Sequence, residues 1–157
     1  MGRVQMGFVL AAILAAGVGP SALGSSDDRD DSRRTRPCTN ETLQGTYGIQ
    51  IQGTRPAAGG VIESMIGVVI RSYDGLGQFT QVSNVKGSIS GWVPDRVGGG
   101  TYDVAADCTA IAHLQPRPDT LLEERLIIVD DGREVRSATM LPLPVMATGV
   151  ARRLHRD

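Results

Sequence analysis

The chain has 157 residues and a formal net charge of −1 at pH 7, the size of one domain with a real core and no charge excess that would point to nucleic acid or an anionic membrane surface. Aromatic residues make up only 4% of it, with Trp92 the single tryptophan, which counts against a carbohydrate surface built on stacked rings.

The N-terminus reads as a targeting segment. Arg3 supplies a positive charge, an apolar run follows from Phe8 to Ala16, and Ala22-Leu23-Gly24 offers small residues for cleavage after Gly24. The apolar stretch from Met6 to Val18 falls short of the roughly 20 residues of a spanning helix, and no cysteine at its end marks a lipoprotein. The expected organisation is a signal peptide over 1–24, a disordered charged leader over 25–37 and a single β-barrel domain over 38–157. The leader has four aspartates but no apolar residue to bury, and Arg29 interrupts the acidic run, so it lacks the pattern of a calcium loop. Asn40-Glu41-Thr42 is a formal glycosylation sequon.

From Gly45 the hydrophobic period becomes two. Tyr47 to Gln52 alternates as a half-buried strand, and 53–60, with Pro56 and Gly59-Gly60, reads as a loop. Val61 to Tyr73 is a long second strand with Ile62, Ser64, Ile66, Val68 and Ile70 on one face, and Glu63 and Arg71 on the other. Asp74-Gly75 then signals a hairpin into a third strand over 78–89, with Phe79 and Val85 opposite Thr80, Asn84 and Lys86. The segment 91–100, with Pro94 and three consecutive glycines, reads as a loop that folds Trp92 back onto the barrel mouth or core. Short strands are expected over 100–104 and 109–114, with a corner at Asp107-Cys108. Strands over 121–129 and 134–141 flank the turn Asp130-Asp131-Gly132, and 145–154 closes the chain. About eight strands joined by tight turns make an antiparallel meander, and eight strands close into a barrel with either a filled interior or room for one small ligand. A β-sandwich is the alternative.

Cys38 and Cys108 are the only cysteines, and in an exported chain they read as a disulfide. Two buried free thiols or a metal pair are the alternatives, the latter without a His or Cys at ligand spacing. Each cysteine lies near one copy of a repeated tripeptide, Gly45-Thr46-Tyr47 and Gly100-Thr101-Tyr102, read here as a shared device for starting a strand, with each tyrosine burying its ring and keeping its hydroxyl on a partner.

These elements resemble a group of small exported bacterial proteins of unassigned function. The resemblance rests on Cys38, Leu43, Gly45-Thr46-Tyr47, Tyr73-Asp74-Gly75-Leu76-Gly77, Gly100-Thr101-Tyr102 and Asp107-Cys108-Thr109, and covers 38–154; Ala110 departs from the glycine expected after Cys-Thr. It implies a barrel similar to those of the allene-oxide-cyclase or lipocalin kind, and it brings no catalytic residue.

No nucleophile motif is present. In Gly87-Ser88-Ile89-Ser90-Gly91 an isoleucine occupies the nucleophile position, and Gly75-Leu76-Gly77 lacks the third glycine and the βαβ setting of a dinucleotide site. His113 reads as a surface or hydrogen-bonded structural residue and His155 as part of a basic tail. Glu63, Glu123 and Glu124 could supply carboxylates, but Glu123 and Glu124 are adjacent on a strand and must face opposite sides. Arg71, Lys86 and Arg125 read as exterior charges pairing across strands. The resulting expectation is a secreted or periplasmic, non-enzymatic barrel that binds a small apolar or amphipathic ligand or serves as an interaction module, with no catalytic, cofactor or metal residue. One alternative is a cyclase or isomerase working in the barrel cavity, which requires His113, Glu63 or a tyrosine inside. The other is a structural or adhesion protein of the cell envelope. Expected partners are a small apolar ligand or an envelope component, with no nucleic acid and no membrane span after cleavage.

Overall fold

In the computed structural model, residues 36–117 and 120–154 are described, without the side chains of 116, 117 and 120. The expected signal peptide, nearly all of the charged leader and His155 lie outside them. Eight strands follow in order: β1 (Gly45–Pro56), β2 (Ile62–Tyr73), β3 (Gln78–Gly87), β4 (Gly91–Val104), β5 (Thr109–Arg117), β6 (Thr120–Val129), β7 (Glu134–Leu141) and β8 (Met146–Arg153). Every strand pairs antiparallel with its sequence neighbours, and β8 returns to β1, so a single sheet closes on itself. Closure gives every strand a partner on both sides, although β4 meets β5 only over Gly100–Val104. The meander and the barrel are as the hydrophobic period implied, and the β-sandwich is not adopted.

One end of the barrel is sealed. The short 3₁₀ turn Asn40–Leu43 places Leu43, fully buried, beneath an aromatic cluster. Tyr73 is its centre: the Tyr47 ring meets it edge-on at 5.4 Å, Tyr102 at 4.9 Å, and Phe79 lies tilted at 5.7 Å. The Cys38–Cys108 disulfide ties the segment before this turn to the corner between β4 and β5. Asn40 locks the same joint, its side-chain oxygen accepting the Val104 amide at 2.9 Å.

The hairpin after β2 closes on Asp74, whose Oδ1 accepts the amides of Leu76, Gly77 and Gln78 at 2.7, 3.0 and 2.9 Å. These three donors hold the Asp74 carboxyl below its ordinary range. Gly75, at φ 82°, supplies the left-handed residue the turn needs.

The loop expected over 53–60 is shorter, because β1 continues to Pro56 and pairs there with β2, and three further expectations are corrected. First, 91–100 is not a loop, because β4 runs unbroken from Gly91 to Val104. Pro94 is accommodated by a bulge: between the Ser83–Arg96 and Val85–Val93 pairs, Asn84 alone faces Pro94 and Asp95. The glycines serve close approach, since a Cβ at Gly100 would stand 1.9 Å from the His113 carbonyl oxygen and one at Gly99 2.8 Å from that of Phe79. Gly100 therefore lies inside a strand while Gly45 begins one, so the two tripeptides share their buried tyrosines rather than a strand start. Second, Trp92 does not fold back. It stands on the outer wall, 67% exposed. Third, Arg71 is not an exterior charge: with Glu63 it points inward on β2 and is buried, while Ile62, Ile66, Val68 and Ile70 share the opposite face, as read, and that face is the outer one, each residue more than half exposed.

Candidate functional site

Inward-facing side chains of all eight strands leave a cavity of about 380 Å³. It extends from the aromatic cluster at the sealed end to Pro56, Pro142 and Val145 at the opposite rim. Its walls are mostly apolar, with Ile51, Met65, Val69, Leu114, Leu122 and Leu126 contributing along the barrel. Ser83, Ser137 and Thr139 add hydroxyls.

Polar groups gather at the floor around Arg71, a guanidinium with 5% side-chain exposure. Its Nη1 donates to Glu124 Oε2 at 2.8 Å and to the Tyr73 hydroxyl at 3.2 Å, and its Nε donates to Gln81 Oε1 at 2.8 Å. The planar cation also lies over the Phe79 ring, 4.4 Å from its centroid. Burial, the largest single influence, opposes the charge on Arg71, but the Glu124 carboxylate and the Tyr73 hydroxyl together outweigh it and raise the arginine above its ordinary pKa. Burial raises the Tyr73 hydroxyl, and Arg71 only partly offsets this, so Tyr73 stays protonated. The floor is thus a charge-balanced pair roofed by neutral donors and acceptors.

A second polar cluster stands near the rim and is structural. Glu63 accepts Arg55 Nε at 2.8 Å, the amides of Ile89 and Ser90 at 2.9 and 2.8 Å, and the Ser90 hydroxyl at 2.7 Å. These bonds tie the β1 and β2 ends to the β3–β4 turn. Led by the Ser90 amide, they bring the Glu63 carboxyl down to about 2. A carboxylate so fully engaged has no role left as a proton carrier.

The remaining candidates separate by strand face. Glu123 and Glu124 diverge as their adjacency requires: Glu124 enters the cavity, and Glu123 stays on the outer wall with Arg125 at 3.2 Å and His113 at 3.5 Å. His113 is thereby an exterior residue with 44% side-chain exposure. Arg125 and Lys86 are exterior, as read, whereas Arg71 is not. Its neighbours on the inner face of β2 (Met65, Val69 and Tyr73) form the core wall, so its charge is carried inside and matched there.

Tyr47 and Tyr102 keep their hydroxyls bonded beneath the floor. Tyr47 donates to the Gly132 carbonyl and accepts from Arg153 Nη2 at 2.7 Å; Tyr102 accepts from the Gly75 amide at 2.9 Å and donates to the Asn40 carbonyl. Both are packing residues outside the cavity lining. Cys38 and Cys108 are joined, which removes the thiol and metal alternatives for them. Among the described residues no three His, Cys, Asp or Glu side chains come together as a metal site.

The Arg71–Glu124–Gln81 constellation was not legible in the sequence. Tyr73 faces Phe79 across the hairpin, and that pairing puts the odd-numbered residues of β2, Arg71 among them, on the Phe79 face. Comparison of the chain with protein-family models, curated proteins and solved structures returns no match.

Proposed function

We propose that this protein binds one small amphipathic molecule inside its barrel. The observation that carries the reading is the cavity itself: about 380 Å³ falls within the usual range of ligand sites, and apolar walls over one polar cluster are the usual composition of such sites. A barrel with only a structural or adhesive role has no need of an unfilled interior, because eight strands are few enough for side chains to fill it. The disulfide supports a place outside the reducing cytoplasm, in line with the secreted or periplasmic expectation.

The test is a titration of the oxidised protein with an environment-sensitive apolar dye. Saturable binding is expected in the wild type. The variant Ala147→Trp, which puts an indole into the upper cavity, is expected to abolish binding while the thermal unfolding transition remains cooperative. Dye binding unaffected by Ala147→Trp would remove the reading.

A further inference from the structure

We infer that the cavity selects an uncharged ligand with a hydroxyl head, seated head-down on Glu124 and Gln81, and discriminates against carboxylates and amines of the same chain length. The inference rests on the ligand-binding reading above and adds a head-group chemistry to it.

Charge balance comes first. Arg71 is the cation at the floor, and it is already committed to Glu124 Oε2 at 2.8 Å, Gln81 Oε1 at 2.8 Å and the Tyr73 hydroxyl at 3.2 Å. The other two arginines of the lining stand nearer the rim, Arg55 on Glu63 and Arg96 opposite Ser83 with a partner of its own. A carboxylate brought to the floor would be a second anion sharing one arginine. An ammonium would be a second cation sharing one carboxylate. Either leaves a net charge in an apolar enclosure, which is costly when no partner compensates it.

Hydrogen-bonding capacity comes second. A carboxylate has about four acceptor positions, and the only donors to Glu124 among the described residues are the two Arg71 Nη groups, at 2.8 and 3.5 Å. Its side chain is 15% exposed, and it lines the cavity. Gln81 gives its oxygen to Arg71, and among the described residues its amide nitrogen has no acceptor. Every fully buried side-chain nitrogen and oxygen among the described residues does have a partner, so this amide opens onto the cavity. The floor therefore presents a vacant acceptor on Glu124 and a vacant donor on Gln81, both flanking one guanidinium. A hydroxyl matches both, donating its hydrogen to Glu124 and accepting from Gln81. Its alkyl portion then lies along Leu114, Leu122, Val69 and Met65 toward the rim.

The experiment compares decan-1-ol, decanoate and decylammonium as competitors of the bound dye at pH 7, using the oxidised full-length protein. The alcohol is expected to bind at least about tenfold more tightly than either ion. In Glu124→Gln, Arg71 loses its counter-charge, so the order is expected to invert, with decanoate overtaking the alcohol. Gln81→Leu keeps the ion pair but removes both the cavity-facing donor and the oxygen that accepts Arg71 Nε; there the alcohol is expected to weaken several-fold while decanoate does not weaken, which keeps the test decisive should Glu124→Gln fold poorly. Equal affinities for all three chains in the wild type, or a selectivity indifferent to both substitutions, would overturn the head-group inference while leaving the cavity reading intact. Failure of any chain to displace the dye, together with dye binding insensitive to Ala147→Trp, would instead remove the cavity reading.

Discussion

Arg71 and Glu124 meet at 2.8 Å across the barrel floor although 53 residues separate them in the chain. The pair joins β2 to β6, which are not neighbours in the sheet, so it holds opposite walls of the barrel together. Removing one partner leaves the other as an uncompensated charge. Glu124→Leu is expected to cost about 3–5 kcal/mol, and the double replacement Arg71→Met with Glu124→Leu is expected to recover most of that loss. Guanidinium unfolding of the two variants and the wild type checks this, and a double variant no more stable than the single one contradicts it.

Glu63 gives a pH dependence of definite sign. Its carboxyl ionises at about 2 in the folded chain, against an ordinary value of 4.5. Its contribution is therefore complete above about pH 4.5 and is lost as pH falls toward 2. Wild type is expected to be more stable than Glu63→Gln at neutral pH, with the difference shrinking through that window. Thermal unfolding from pH 7 to pH 2 measures it, and a constant gap would show that the Ser90, Ile89 and Arg55 bonds do not depend on the charge.

The disulfide joins residues 70 apart in sequence. A closed loop of that length stabilises by about 4 kcal/mol in the chain-entropy treatment. Cys38→Ala/Cys108→Ala should lower unfolding stability by about that amount while retaining the strand signature in circular dichroism. A loss of all β structure would mean that the barrel depends on the bridge to form.

Tyr47 is fully buried, and its hydroxyl serves the Gly132 carbonyl and Arg153 together. Tyr47→Phe leaves both without that partner and is expected to cost about 1–3 kcal/mol. Denaturant midpoints provide the check, and a neutral effect would mean that water replaces the hydroxyl.

The strand count, their order and their antiparallel joins were legible because period-two runs and Asp-Gly turns are local signals. The inner face of β2 was not. Ile62, Ile66 and Ile70, all three isoleucines of β2, face outward, while Arg71 faces inward, since alternation separates two faces without ranking them and this interior is a lined cavity rather than a filled core. The glycine-rich segment was misread for a related reason: Gly99 and Gly100 look like loop residues, yet they sit where the backbones of β3 and β5 leave no space for a Cβ. Gly100→Ala should accordingly destabilise the barrel, by at least about 1–3 kcal/mol. The Arg71–Glu124 contact could not be seen at all, because it depends on closure bringing non-adjacent strands face to face.

The most direct measurement is a crystal structure of the oxidised protein grown with decan-1-ol. The alcohol is expected as continuous density along the barrel axis, its oxygen within hydrogen-bond distance of Glu124 and Gln81 and its chain running toward Pro142 and Val145. An interior collapsed by inward side chains, or the alcohol found only on the outer wall, would contradict the account.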